Sequence, residues 1–314
     1  MDAGMALGLL LALSAAFLFN LSYMLQHGAL GGTPELTLRR PLRTVKVLFG
    51  DRKWLAGTSV GLAGFGLHAF ALALAPLSIV QAFLASGLAF AVPMSVRMAG
   101  HVLTARDSIG ATMMVTALVL LAFGTGEHGA TNDFEPVTLG GFAVAMAALA
   151  AGGTLVRGRR RPEALALAAG AMFGLGDALI NALVGIVRGG LVDLATSPWL
   201  LACIAANAAA FFVWQQSLQS GRAKVLAVVV LMTAATKISA IGAGFAVFGD
   251  SLGATPSWEA IHALCFAAIG LAGWMLAPAQ AAITVSEEGI GGASGEAAAG
   301  WHDQGRESEG KGSQ

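Results

Sequence analysis

Two residues of opposite charge, Asp177 and Lys237, each stand in the middle of an apolar stretch long enough to cross a bilayer. A charged side chain at the bilayer centre costs about 2.5 to 3.5 kcal/mol even on lenient insertion scales, so such residues are functional-site candidates by default. Asp177 could bind a cation or a proton in one state and pair with Lys237 in another. The alternative is a structural ion pair that fixes the register of two helices.

Further polar residues on the same and other apolar stretches extend this candidate site. Asn181 follows Asp177 by one helical turn and shares its face with Gly170, Gly174 and Gly185. The glycines would let a neighbouring backbone approach closely, while the two polar side chains face the interior of the bundle.

His68 and several amides are the remaining candidates. His68 suits a proton relay by its titration range, or else it is a hydrogen-bonded core histidine. Asn207, Phe211 and Gln215 are predicted to form an inward stripe on their helix; such amides also join helices without binding ligands. The candidate substrate and coupling residues are Asp177, Lys237, Asn181, His68, Gln81, Asn207 and Gln215.

The composition indicates an all-α integral membrane protein. Of 314 residues, 56% are hydrophobic and 11% are charged, against about 25% charged in soluble domains. The net charge is zero, and no basic stripe interleaved with aromatics suggests a nucleic-acid partner. Cys203 and Cys265 lack metal-ligand spacing. The chain has no phosphate-binding loop and no nucleophile beside a base, so we expect neither a cofactor, a metal nor an enzymatic activity.

Nine apolar runs are long enough to be transmembrane helices. These predicted helices, one to nine, are Met5–Gln26, Trp54–Ala75, Leu77–Met98, Ser108–Gly124, Val137–Val156, Ala164–Val187, Trp199–Gln219, Val225–Phe248 and Trp258–Pro278. No basic segment precedes the first run, so we expect it to be a retained helix rather than a signal peptide. From Ser286 onward the chain is poor in apolar residues, which predicts a disordered tail.

The basic residues of the predicted loops set the orientation. Fourteen of them lie in the loops after helices one, three, five and seven, whereas the opposite loops contain Arg188 alone. By the positive-inside rule, the N-terminus is predicted outside and the C-terminal tail in the cytoplasm, with the protein in the cell membrane.

An internal repeat is visible in the order of the helices. Trp54-Leu55 begins helix two and Trp199-Leu200 begins helix seven, and each helix continues into the next through a very short turn. We predict a first transmembrane repeat over residues 1–124, a linker helix and basic loop over 125–163, a second repeat over 164–279 and the tail over 280–314. An odd number of crossings separates the repeats, so they are inverted, as in alternating-access carriers.

Several short motifs resemble the drug/metabolite transporter superfamily. They are the run 64–81, from Gly64-Phe65-Gly66 to Ile79-Val80-Gln81, then Gln215-Gln216-Ser217 with Gly221, and Phe248-Gly249-Asp250. Within that superfamily the chain resembles the actinobacterial branch related to EamA-type and NIPA-type magnesium carriers. Relatives tend to have an acid in helix eight and a Thr-Lys pair in helix six; here Thr236-Lys237 and Ile180-Asn181 stand there, as if the charges were exchanged.

The resemblance implies an inverted-repeat secondary transporter that moves a small metabolite, a drug-like compound or a cation. The expected partners are that small-molecule or ion substrate and the lipid bilayer, and a homodimer is left open. The alternative is a non-transporting membrane protein, an accessory or interaction partner, that keeps the carrier fold around a structural ion pair. A carrier predicts a polar cavity that reaches one face, whereas the alternative predicts a filled interior.

Overall fold

The computed structural model of the protein describes residues 3–30, 52–87, 89–90, 102, 104–123, 132–220 and 225–278. Within these ranges the chain is helical and forms no strand. The longer helices are α1 (Ala3–Leu30), α2 (Arg52–Leu72), α3 (Leu77–Ala85), α4 (Ala105–Leu121), α5 (Pro136–Leu155), α6 (Arg161–Val187), α7 (Pro198–Ser220), α8 (Val225–Ala246) and α9 (Pro256–Pro278). A short helix, Leu191–Thr196, lies between α6 and α7.

Each of the nine predicted apolar runs overlaps one of these helices. Within the described ranges, five stretches are long and apolar enough to cross a membrane, namely Ala3–Ser22, Leu55–Leu72, Pro136–Leu155, Gly158–Val187 and Pro256–Pro278. The protein is therefore an all-α protein with several membrane-spanning helices, while the full count of nine spans stays a prediction. The basic loop over 31–51, most of the second half of predicted helix three and the predicted tail lie outside the described residues.

Helix α6 lies at the centre of the bundle, where it packs against α2, α5, α7 and α8. Its glycines make this possible. A Cβ atom at Gly170 would lie 2.5 Å from the carbonyl oxygen of Met232, and one at Gly174 would lie 2.7 Å from that of Thr236. The backbones of α6 and α8 therefore touch, as small residues permit in membrane helices. This contact fixes the depth of Lys237 relative to α6.

The turn after α8 holds the beginning of α3. The Ser78 backbone N–H donates to the Asp250 carboxylate at 2.8 Å, and the Asp250 N–H donates to the carbonyl oxygen of Gly244 at 2.9 Å. Asp250 thereby satisfies one of the free N–H groups that every helix has in its first turn. Since α3 starts at a fixed place beside α8, Gln81 on its first turns lies beside α8 as well.

Candidate functional site

A chain of polar contacts joins α8, α3 and α2 inside the bundle. The Lys237 ammonium donates a hydrogen bond to Oε1 of Gln81 at 2.8 Å. Nε2 of the same Gln81 lies 3.5 Å from Nε2 of His68, at the outer limit of hydrogen bonding. Gln81 and His68 are buried, while Lys237 is partly buried. Three side chains of the candidate site are thus brought together from three helices.

Asp177 on α6 is the fourth member of this group. It is partly buried and lies three residues after Gly174, which contacts the α8 backbone at Thr236 and Ala240, on either side of Lys237. In the described part of the chain its carboxylate forms no hydrogen bond or ion pair, so the direct contact with Lys237 that their equal depth would allow is not made. We call His68, Gln81, Asp177 and Lys237 the central polar cluster.

The central polar cluster has binding capacity that its own contacts do not use. A lysine ammonium has three donors, and here one of them goes to Gln81. The Asp177 carboxylate can accept several hydrogen bonds, bind a cation or take up a proton. Opposite charges that are held near each other without pairing can exchange partners when a ligand or a proton arrives.

Asn181 belongs to a second group of contacts, nearer the C-terminal end of α6. Its Oδ1 accepts a hydrogen bond from Nδ2 of Asn132 at 2.8 Å, and Asn132 Nδ2 also lies 3.0 Å from the carbonyl oxygen of Leu72. Arg188 donates to Oδ1 of Asn132 at 2.7 Å and to the carbonyl oxygen of Ala73 at 3.2 Å. We call Arg188, Asn132 and Asn181 the Arg188 group.

The sequence did not identify Asn132 and Arg188 as site residues. Asn132 lies in the segment before α5, where no helical periodicity marks it. Arg188 did give a signal, because it is the one basic residue in the loops predicted to lie outside.

The stripe predicted on α7 is wrong in part. Asn207 is partly buried, donates to the carbonyl oxygen of Cys203 at 2.9 Å and packs against Gly176 of α6, so it joins two helices. Phe211 is 50% exposed and points away from the bundle. The buried face of α7 consists of small residues, including Cys203 and Ala210, which let α7 approach α6 too closely to leave room for a phenylalanine ring. The Gln215 side chain lies outside the described part of the structure.

A cavity of about 660 Å³ lies between α4 and α9, apart from the central polar cluster. Its walls are mostly apolar, with Ile109 and Leu120 from α4 and Ile261 and Leu264 from α9. Ile109 and Leu264 are exposed, so the cavity opens to the outside of the bundle. Its chemistry suits acyl chains rather than a polar solute.

Comparisons of the chain with protein-family models, with curated proteins and with solved structures give no match.

Proposed function

We propose that the protein is a secondary transporter that moves a small metabolite, a drug-like compound or a cation across the cell membrane by alternating access. The observation that carries this proposal is the central polar cluster. Asp177 and Lys237 are ionisable residues within the apolar helices α6 and α8, which pack against each other, and they form no ion pair with each other. Charged groups inside a membrane bundle are costly and typically mark substrate or ion pathways.

The pairing of the helices supports an inverted repeat. α1 packs against α2 and α3, and α6 packs in the same way against α7 and α8. If α1 corresponds to α6, then α3 corresponds to α8, and these two helices also pack against each other. In carriers built from inverted repeats, the binding site lies near the midplane at the interface between the repeats. Gln81 on α3 and Lys237 on α8 meet at this interface.

The resemblance to the drug/metabolite transporter superfamily agrees with this function. His68 and Gln81 both lie in the run of residues that carries the resemblance. In our proposal Asp177 binds the cation, the proton or the cationic group of the substrate, and Lys237 takes over the partnership with Asp177 when the site empties. The loop charges favour a cytoplasmic C-terminus.

The non-transporting membrane protein remains the second candidate function, and one observation favours it. The cavity between α4 and α9 includes none of the four residues of the central polar cluster, and Gln81 and His68 are closely packed. In that case the polar cluster would serve only to set helix register, and the carrier fold would be retained for interaction with another membrane protein or an enzyme.

Ligand-dependent thermal stabilisation followed by transport tests the proposal. Purified protein in detergent is heated with MgCl2, with a panel of common metabolites and with ethidium as a drug-like cation. A ligand at 100 times its dissociation constant should stabilise the folded protein by about 2.7 kcal/mol. The compound with the largest shift is then tested for saturable counterflow in proteoliposomes. A wild-type protein that neither responds to any compound nor shows counterflow would exclude the carrier function for these substrate classes.

A further inference from the structure

Arg188 is in an unusual place for an arginine. It is the only basic residue in the loops that the positive-inside rule assigns to the outer face, against fourteen on the other side. Among the described residues, its side chain donates hydrogen bonds to Oδ1 of Asn132 and to the carbonyl oxygen of Ala73. The positive-inside rule does not account for an arginine at this position, whereas the contacts of its side chain do.

The Arg188 group joins three separate segments at one end of the bundle. Arg188 follows the last residue of α6, Ala73 follows the last residue of α2, and Asn132 lies just before α5. Asn132 is 2% exposed, and its amide nitrogen reaches both the end of α2 and Asn181. A guanidinium offers several donors in a fixed planar fork, so one arginine can hold two acceptors from different segments.

Other contacts close the same end of the bundle. The ring of Phe134, in the segment before α5, lies 5.7 Å from that of Trp199 at the beginning of α7. Nε2 of His262 on α9 lies 2.8 Å from the carbonyl oxygen of Phe123, just after α4. Together with the carboxylate that caps α3, these contacts tie down the ends of neighbouring helices on the predicted outer side.

We infer that Arg188 is the positioning residue of an outer latch, which consists of the Arg188 group and closes the outer approach to the central polar cluster. The inference rests on the proposed carrier function. It adds that this conformation of the protein is closed on the outer side of the membrane. Opening must separate the end of α2 from the end of α6, which requires that Arg188 release Ala73 and Asn132. Without the hydrogen bond from Arg188, the Asn132 amide is no longer oriented for its contacts with Leu72 and Asn181.

The native thiol of Cys203 gives a direct test. Cys203 is buried on α7, and its Sγ lies 4.0 Å from the carbonyl oxygen of Gly176, the residue before Asp177. The chain has two cysteines, so Cys265→Ala leaves Cys203 as the only thiol. Intact cells expressing this background are treated with a membrane-impermeant maleimide. We expect Arg188→Ala to raise the labelling rate at least about tenfold, because this variant loses the charged hydrogen bonds that Arg188 donates in the closed conformation.

Matched controls separate the latch from general loosening. Arg161→Ala removes an exposed arginine at the opposite end of the same helix and should leave the rate unchanged. Asn132→Ser removes the amide oxygen that accepts from Arg188, while Arg188 itself is kept, and should also raise labelling. Thermal melting of each variant establishes that it is folded. Equal rates for Arg188→Ala and the background would overturn the inference, and so would a rise of the same size in Arg161→Ala. A rise seen only in inside-out vesicles would overturn the outer assignment.

The carrier function and the latch can fail separately in these experiments. Counterflow by the wild-type protein together with unchanged labelling in Arg188→Ala would overturn the latch alone. Faster labelling in Arg188→Ala and in Asn132→Ser, in a protein without counterflow for any compound, would overturn the carrier function while leaving a closure that Arg188 controls.

Discussion

Replacement of Gly174 by leucine should prevent α6 and α8 from packing and should greatly lower the stability of the protein. A Cβ atom at this position would lie 2.7 Å from the Thr236 carbonyl oxygen and 3.0 Å from the Ala240 backbone nitrogen. Backbone atoms cannot move aside as a flexible side chain can, so α8 as a whole would have to shift. Overpacking typically costs about 1 to 3 kcal/mol, and we expect the upper end or more.

The measurement is the apparent melting temperature of the purified protein in detergent. A loss of 3 kcal/mol corresponds to a fall of roughly 5 °C for a protein of this size. Gly242→Leu is the matched control, because Gly242 lies on α8 itself and a Cβ atom there would meet no atom of the described residues within 4 Å. It should melt close to the wild type. Equal losses in the two variants would mean that the α6–α8 contact is not what limits stability.

The positions of the helices could be predicted because length and hydropathy decide them. An apolar run of about 20 residues has few alternatives to a helix in a membrane. The stripe of Gly170 and Gly174 also predicted a close helix contact, and the structure confirms that contact against α8. The partner helix could not be predicted, because a small-residue stripe specifies only that some backbone approaches it.

The sequence predicted how deep in the bundle the site residues lie, but it did not predict which of them contact each other. The residue types and positions of His68, Gln81, Asp177 and Lys237 predicted polar groups inside the bundle, and in the structure Gln81 contacts both Lys237 and His68. That Lys237 bonds to Gln81 depends on rotations of α3 and α8 that hydropathy does not determine. Asn181 lies about one helical turn from Asp177 on the same face. Its side-chain oxygen nevertheless accepts a hydrogen bond from Asn132, a loop residue that the helical spacing of the sequence could not identify.

Neutralisation of Asp177 should have the largest effect on transport. Asp177→Asn keeps the shape of the side chain but removes the charge that would bind a cation or a proton, and we expect the rate of counterflow to fall about 100-fold. Such a fall corresponds to roughly 2.7 kcal/mol of lost stabilisation along the transport cycle. The melting temperature should change little, because the Asp177 carboxylate has no ion pair to lose in the described part of the chain. Asp193→Asn, which removes an exposed carboxylate outside the long helices, is the control and should transport normally.

Lys237→Ala and the double variant separate a carrier from a structural ion pair. Lys237→Ala should abolish transport and also destabilise the protein by about 1 to 3 kcal/mol, because it leaves the buried Oε1 of Gln81 without its donor. Asp177→Asn added to Lys237→Ala should then restore little stability. If the two charges instead formed a structural pair, removal of Asp177 alone would cost about 3 to 5 kcal/mol, and the double neutralisation would recover much of that loss. Both single variants could transport at the wild-type rate while the double variant recovers stability. That result would mean that Asp177 and Lys237 stabilise the bundle and take no part in transport.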